Sequence, residues 1–135
     1  MRNATQKKIS SKLLNRTGVV DIGSNTVRLV VLEGPARSPR YFYNEKSSCG
    51  LGIGLRQTGK LNPKGVKKAI KALRRFKAIT REMNLENIYF IATAAVRDAT
   101  DGAQFVNRIE EEFNIKITVV SGKEEGILAA SGVLM

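Results

Sequence analysis

Two β-branched apolar runs, one carrying Val19, Val20 and Ile22 and the other spanning Val27 to Leu32, stand either side of Gly23-Ser24-Asn25. Glycine, serine and asparagine are turn formers, so Thr17 to Leu32 is predicted to be a strand–turn–strand hairpin. Gly34 to Pro39 reads as loop, because Pro35 and Pro39 bar regular structure, and Tyr41-Phe42-Tyr43 opens a third strand. Asn62-Pro63 is then a helix start, a capping side chain followed by proline at the first helical position. Val66, Ala69, Ile70, Leu73, Phe76, Ile79 and Met83 continue at helical spacing. Asn87 to Thr93 reads as a buried strand, and Asp101 with Gln104 as a capping box for a helix lined by Phe105, Val106, Ile109 and Phe113. Ile115 to Val120 is a further strand, and Ser121 with Glu124 a second capping box.

The order is βββαβαβα, which specifies an α/β fold with a five-stranded mixed sheet covered by helices. At 135 residues the chain is one domain able to bury a hydrophobic core. Residues 1–16 read as a flexible basic arm ahead of it. The last helix is still apolar at Ser131 to Met135 and carries no terminating cap, so the chain is expected to continue past that point.

Two absences narrow the chemistry. With no histidine, an imidazole base, a His-based triad and a His-ligated metal are all excluded within these residues. One cysteine, Cys49, forms no internal disulfide and has no imidazole to activate it, which suits a reducing cytoplasm. Catalysis here falls to carboxylates, hydroxyls, backbone amides and a hard cation held by oxygen. The net charge of +11 calls for an anionic partner: a polyphosphate, a nucleotide, nucleic acid or an acidic surface. No run of eighteen apolar residues is present to span a membrane.

Three segments carry candidate chemistry. Gly23-Ser24-Asn25 can aim backbone N–H groups at an anion, with Gly23 free to adopt positive φ, Ser24 and Asn25 adding donors, and Asp21 able to hold Mg²⁺. On turn chemistry alone, an ordinary hairpin explains the same residues. Thr93-Ala94-Ala95-Val96-Arg97-Asp98 follows a buried strand at the end where ligands gather in α/β sheets, and Arg97 can grip a phosphate or pair with Asp98 or Asp101. Glu124 belongs to the Ser121 capping box, whereas Glu125 points about 100° further round the helix and has no such duty. It is either a helix-dipole carboxylate or a general base for a water. Gly50 to Gly54 reads as a mobile loop near this site. The basic face of the Asn62–Met83 helix is a solvated face or an extension of an anionic track.

Together Val20-Asp21-Ile22-Gly23-Ser24-Asn25-Thr26-Val27-Arg28-Leu29, Ala92 to Ala99 and Val120-Ser121-Gly122-Lys123-Glu124-Glu125-Gly126 resemble the exopolyphosphatase / guanosine pentaphosphate phosphohydrolase (Ppx/GppA) family of the actin-like ATPase superfamily. The resemblance runs from Thr17 to Met135. It implies a ribonuclease-H-like first subdomain of a two-lobed unit, with Asp21 serving Mg²⁺ or another divalent cation. It also implies Gly23, Ser24, Asn25, Thr93 and Arg97 on terminal phosphates and Glu125 as the catalytic glutamate. Orthophosphate would be released from inorganic polyphosphate or guanosine pentaphosphate by a cytoplasmic protein, homodimeric at full length, with no membrane or nucleic-acid partner. The family's second phosphate loop, an Asp-Ile-Gly-Gly-Gly-Ser-type segment, is absent from these residues and is expected to follow position 135, so this stretch alone is expected to be inactive. Two alternatives stay open: part of an actin-like ATP-dependent kinase, and a non-catalytic basic module that binds anions or nucleic acid.

Overall fold

The computed structural model of the chain describes residues 15–35 and 38–130. Residues 1–14 of the expected arm and Ser131 to Met135 lie outside the described residues. Within them the elements run β1 (Arg16–Ile22), β2 (Thr26–Glu33), β3 (Arg40–Ser48), α1 (Leu55–Thr58), α2 (Pro63–Glu82), β4 (Asn87–Ala92), α3 (Ala94–Asp98), α4 (Gly102–Phe113), β5 (Ile117–Val119) and α5 (Gly122–Ala130). The sheet is mixed and five-stranded, in the order β3-β2-β1-β4-β5. β1 pairs antiparallel with β2 and parallel with β4, and β4 pairs parallel with β5.

The expected βββαβαβα order holds, with two short helices, α1 and α3, added in strand-to-helix connections to which no element had been assigned. Arg16, assigned by sequence to the arm, already belongs to β1. Its guanidinium donates to Glu33 at 3.0 Å across the hairpin and stacks on the Phe42 ring at 3.7 Å. β3 extends to nine residues rather than a short segment.

Strand alternation sorts the apolar side chains between two faces. Val20, Ile22, Val27, Leu29, Val31, Phe90 and Ala92 face the main core with Leu73 and Phe76 of α2 and Phe105 and Ile109 of α4. Val19, Ile91 and Val120 form a smaller cluster apart from it. Asp21 shares the strand face of Val19, one residue out of phase with the main core. That parity puts its carboxyl on the side of the sheet away from α2 and α4.

Two capping expectations are corrected. Asn62 makes no side-chain cap bond; its amide donates instead to the Gly50 carbonyl at 3.1 Å. Asp101 likewise caps nothing, because its carboxylate accepts the Leu61 N–H at 2.9 Å. Both side chains tie helix starts to the 50–61 segment around α1, contacts that local spacing does not reveal. The Ser121–Glu124 box forms as expected, with reciprocal bonds of 3.1 and 3.3 Å. The tightest junction lies between α3 and α4. A Cβ on Gly102 would stand 1.8 Å from the Val96 carbonyl oxygen, so only glycine fits there.

Candidate active site

Because β1, β4 and β5 run parallel, their C-terminal ends meet at one edge, and each delivers a segment singled out by sequence. The Thr93 N–H donates to the Ile22 carbonyl at 3.1 Å, and the Val120 N–H to the Ala92 carbonyl at 3.0 Å. The turn after β1, the start of α3 and the start of α5 are thereby stitched side by side. The 49–54 loop joins them from β3. Cys49 and Gly50 N–H groups donate to the Asn25 carbonyl at 2.8 and 2.9 Å, and Gly52 N–H to the Ser24 carbonyl at 2.9 Å. This loop lies near the site as expected, fastened to the turn by those three bonds.

The turn differs from the expected geometry in one respect. Gly23 does not use positive φ. Its N–H closes the hairpin on the Thr26 carbonyl at 3.0 Å, and an added Cβ would stand 3.1 Å from that same oxygen. Close approach to that oxygen, not left-handed backbone, is what favours glycine here. The N–H groups of Ser24 and Asn25 meet no acceptor among the described residues. The donors expected to face an anion are therefore those two amides, not that of Gly23. Thr93 is buried, with its hydroxyl 4.0 Å from the place a Gly23 Cβ would take.

Asp21 is the electrostatic centre. Its Oδ1 is buried and has no hydrogen-bond partner among the described residues. Burial, reinforced by the nearby Glu125 carboxylate and opposed by Arg28, pushes its pKa from 3.8 up to about 6. Arg28 sits directly across the hairpin from Asp21 in the β1–β2 register. In the sequence it stands only as one residue of the Val20–Leu29 segment. Hairpin arithmetic was the available signal: once Gly23 pairs with Thr26, residue 21 must face residue 28.

Arg97 and Glu125 are in contact. Arg97 Nη1 donates to the Val120 carbonyl at 3.0 Å and to Glu125 Oε2 at 3.4 Å, while Nε donates to Asp98 at 3.2 Å. The local Arg97–Asp98 pair foreseen from sequence exists, and the Asp101 alternative does not. Arg97 Nη2 engages no acceptor among the described residues. Glu125, its side chain 36% exposed, takes no part in the capping box that occupies Glu124. Asp21, Glu125, Arg97, Thr93 and the Ser24–Asn25 amides thus gather at one sheet edge, as two carboxylates beside a guanidinium and open N–H groups.

The pH dependence of stability follows. Asp21 ionises near 3.8 when unfolded and near 6 when folded, so the unfolded chain releases its proton first as pH rises between those values. Stability therefore falls through that window; the penalty is absent below it and complete above it. Asp21→Asn cannot ionise. In chelator, it is expected to unfold at a higher temperature than wild type at neutral pH, with the gap closing below about pH 4. Equal or lower melting temperature for the variant at pH 7 would contradict this origin.

The Ppx/GppA phosphatase family profile matches residues 30–135. Exopolyphosphatase 1 of Mycobacterium tuberculosis is 29% identical over 114 residues, an alignment covering 84% of this chain and 33% of the relative. The guanosine-5'-triphosphate,3'-diphosphate pyrophosphatase of Aeromonas hydrophila is 28% identical, with coverage of 84% and 23%. The crystal structure of the Aquifex aeolicus Ppx/GppA family member superposes with a TM-score of 0.78 at 26% identity, covering 84% of this chain and 37% of that one. The chain spans about a third or less of the length of these relatives. Among the described residues no helix is long and apolar enough to cross a membrane.

Proposed function

The chain belongs to the Ppx/GppA phosphatase family, and from that premise we propose that it supplies the first lobe of a phosphohydrolase that removes terminal orthophosphate from inorganic polyphosphate or guanosine pentaphosphate. The observation that carries this reading is the buried, unpartnered Oδ1 of Asp21 next to the half-exposed Glu125. A carboxylate oxygen left without a donor in a desolvated position is destabilising unless a cation completes it.

The donor set fits a divalent ion such as Mg²⁺. Among the described residues no three His, Cys, Asp or Glu side chains cluster as an all-protein cage. Mg²⁺ is usually held by one or two carboxylates, with waters and substrate phosphates filling the rest. Asp21 would hold it, with the Glu125 carboxylate as its electrostatic neighbour. When bound, the ion supplies charge neutralisation on the phosphate oxygens and the leaving group.

The protein's own groups divide the remaining work. Ser24 and Asn25 N–H groups, with Thr93 beside them, bind the terminal phosphate's oxygens and orient its phosphorus towards Glu125. Arg97 Nη1 holds Glu125 in place through one bond, leaving Nη2 for a phosphate oxygen as charge moves in the transition state. Glu125 accepts a proton from the attacking water. The water's oxygen bonds to phosphorus as the bond to the bridging oxygen breaks, and the shortened chain leaves with that electron pair. Family membership favours this hydrolysis over phosphoryl transfer to a sugar or acetate.

The test is orthophosphate release by the full-length protein from polyphosphate and from guanosine pentaphosphate, side by side. Release from at least one that stops in chelator and returns with Mg²⁺ is the expected result. No release from either sinks the proposal.

A further inference from the structure

Lys64, Lys67, Lys68 and Lys71 lie at i, i+3, i+4 and i+7 on α2, one ridge about 10 Å long. All four are exposed, and none meets a carboxylate among the described residues. The next cations along the same helix are treated differently. Arg74 Nε donates to Glu112 of α4 at 3.1 Å, and Arg75 grips Glu45 of β3 with bonds of 2.6 and 2.8 Å. Helix α2 thus pairs its two central arginines and leaves the lysines of its N-terminal half, like Lys77 and Arg81 beyond them, without a carboxylate among the described residues. Folding does not favour that choice. Lysines at these spacings repel one another. The first turn carries no acidic residue, although the positive end of the helix dipole favours one. An arrangement that opposes both tendencies points to a ligand that reverses them.

The bare end is also the end next to the candidate site. Asn62, at the start of α2, donates its N–H to Leu51 at 2.9 Å and its side-chain amide to Gly50 at 3.1 Å. Gly50 in turn donates to the Asn25 carbonyl at 2.9 Å. Two hydrogen-bonded steps therefore join the head of the ridge to the Ser24–Asn25 turn, and the ridge leads away from it. Exposed Arg56 and Lys60 stand in the same connection.

We propose that Lys64, Lys67, Lys68 and Lys71 form a track for the distal, unreacting phosphates of a linear polyphosphate whose terminal phosphate occupies the Asp21–Glu125 site. The track rests on the phosphohydrolase reading for what sits at its head. Its chemistry suits a plain polyanion. Ammonium groups act as point charges on phosphate, without the planar fork that reads base edges. No aromatic side chain interrupts the ridge to stack a base.

The test compares the full-length wild type with the Lys64→Gln/Lys67→Gln/Lys68→Gln/Lys71→Gln variant, all surface changes, on long-chain polyphosphate and on tripolyphosphate. Expected are a rise of about tenfold or more in KM and in the binding constant for the long chain at moderate salt, and a fall of up to about 3 in the slope of log affinity against log salt. Tripolyphosphate, too short to reach along the ridge, keeps its kcat and KM. An equal loss on both substrates, no loss on either, or binding of single-stranded DNA that competes equally and falls equally in the variant each overturns the track. A wild type that binds long-chain polyphosphate through these lysines but hydrolyses neither substrate supports the track and overturns the hydrolase reading instead.

Discussion

Glu125→Gln in the full-length protein is expected to lower kcat for phosphate release by about 10²- to 10⁴-fold, the contribution typical of a positioned general base. Glutamine preserves the size of the side chain and an oxygen that can still accept from Arg97 Nη1, a bond of 3.4 Å in the native chain. The Ser121–Glu124 capping box is untouched, since it uses neither oxygen of Glu125. The start of α5 should therefore hold, and the melting temperature should stay close to that of wild type. What is lost is the capacity to take a proton, together with the negative charge that faces Arg97 and Asp21. KM should change little, because the phosphate contacts are proposed to come from Ser24, Asn25, Thr93 and Arg97. A variant that keeps more than about a tenth of wild-type kcat would remove Glu125 from the role of base.

Phe76→Ala is the change with the largest expected effect on the fold. Phe76 is 1% exposed and heads the fully buried side chains of the core. It lies on the α2 face that covers the hairpin, beside Leu73 and one turn before Thr80. Removing a buried phenyl ring loses its transfer free energy and leaves a cavity, together about 3–5 kcal/mol. Single domains hold only about 5–15 kcal/mol in total. The variant is expected to be partly unfolded at 37 °C, with a urea midpoint far below wild type. A loss under about 1 kcal/mol would mean that α2 is not the lid of this core.

Much of this architecture is legible in the sequence, for physical reasons. β-branched alternation across Gly23-Ser24-Asn25 is local, so the hairpin and its turn read directly. The heptad-like spacing from Val66 to Met83 is a strong helical period, and α2 begins at Pro63 as Asn62-Pro63 suggested. The Ser121–Glu124 box also read correctly, because both partners sit within one turn. What escaped was set by contacts distant in sequence. Asn62 and Asp101 carry good capping chemistry, yet tertiary partners at Gly50 and Leu61 take their side chains. Arg16 reads as one more charge in a basic run, although Glu33 and Phe42 hold it in the sheet.

The site was legible as three separated segments, and their convergence is a consequence of strand order. Parallel pairing of β1 with β4 and of β4 with β5 brings residues 21–25, 93–97 and 121–125 to one edge. The Asp21–Glu125 proximity that raises the Asp21 pKa spans a hundred residues of chain and has no local signature. The contact between Arg97 and Glu125 is equally hidden. From spacing alone the arginine reads as a phosphate ligand or as a partner of Asp98 or Asp101, whereas the structure gives it Asp98, Val120 and Glu125 at once.

The central claim is that a water, deprotonated at Glu125, attacks the terminal phosphorus. Its most direct test is phosphate release by the full-length protein in ¹⁸O-enriched water, with mass analysis of the product. The account predicts one solvent oxygen in each orthophosphate released, a signal that collapses with Glu125→Gln. Phosphate delivered to an acceptor hydroxyl or carboxylate without solvent oxygen, or undiminished ¹⁸O incorporation in Glu125→Gln, would contradict it.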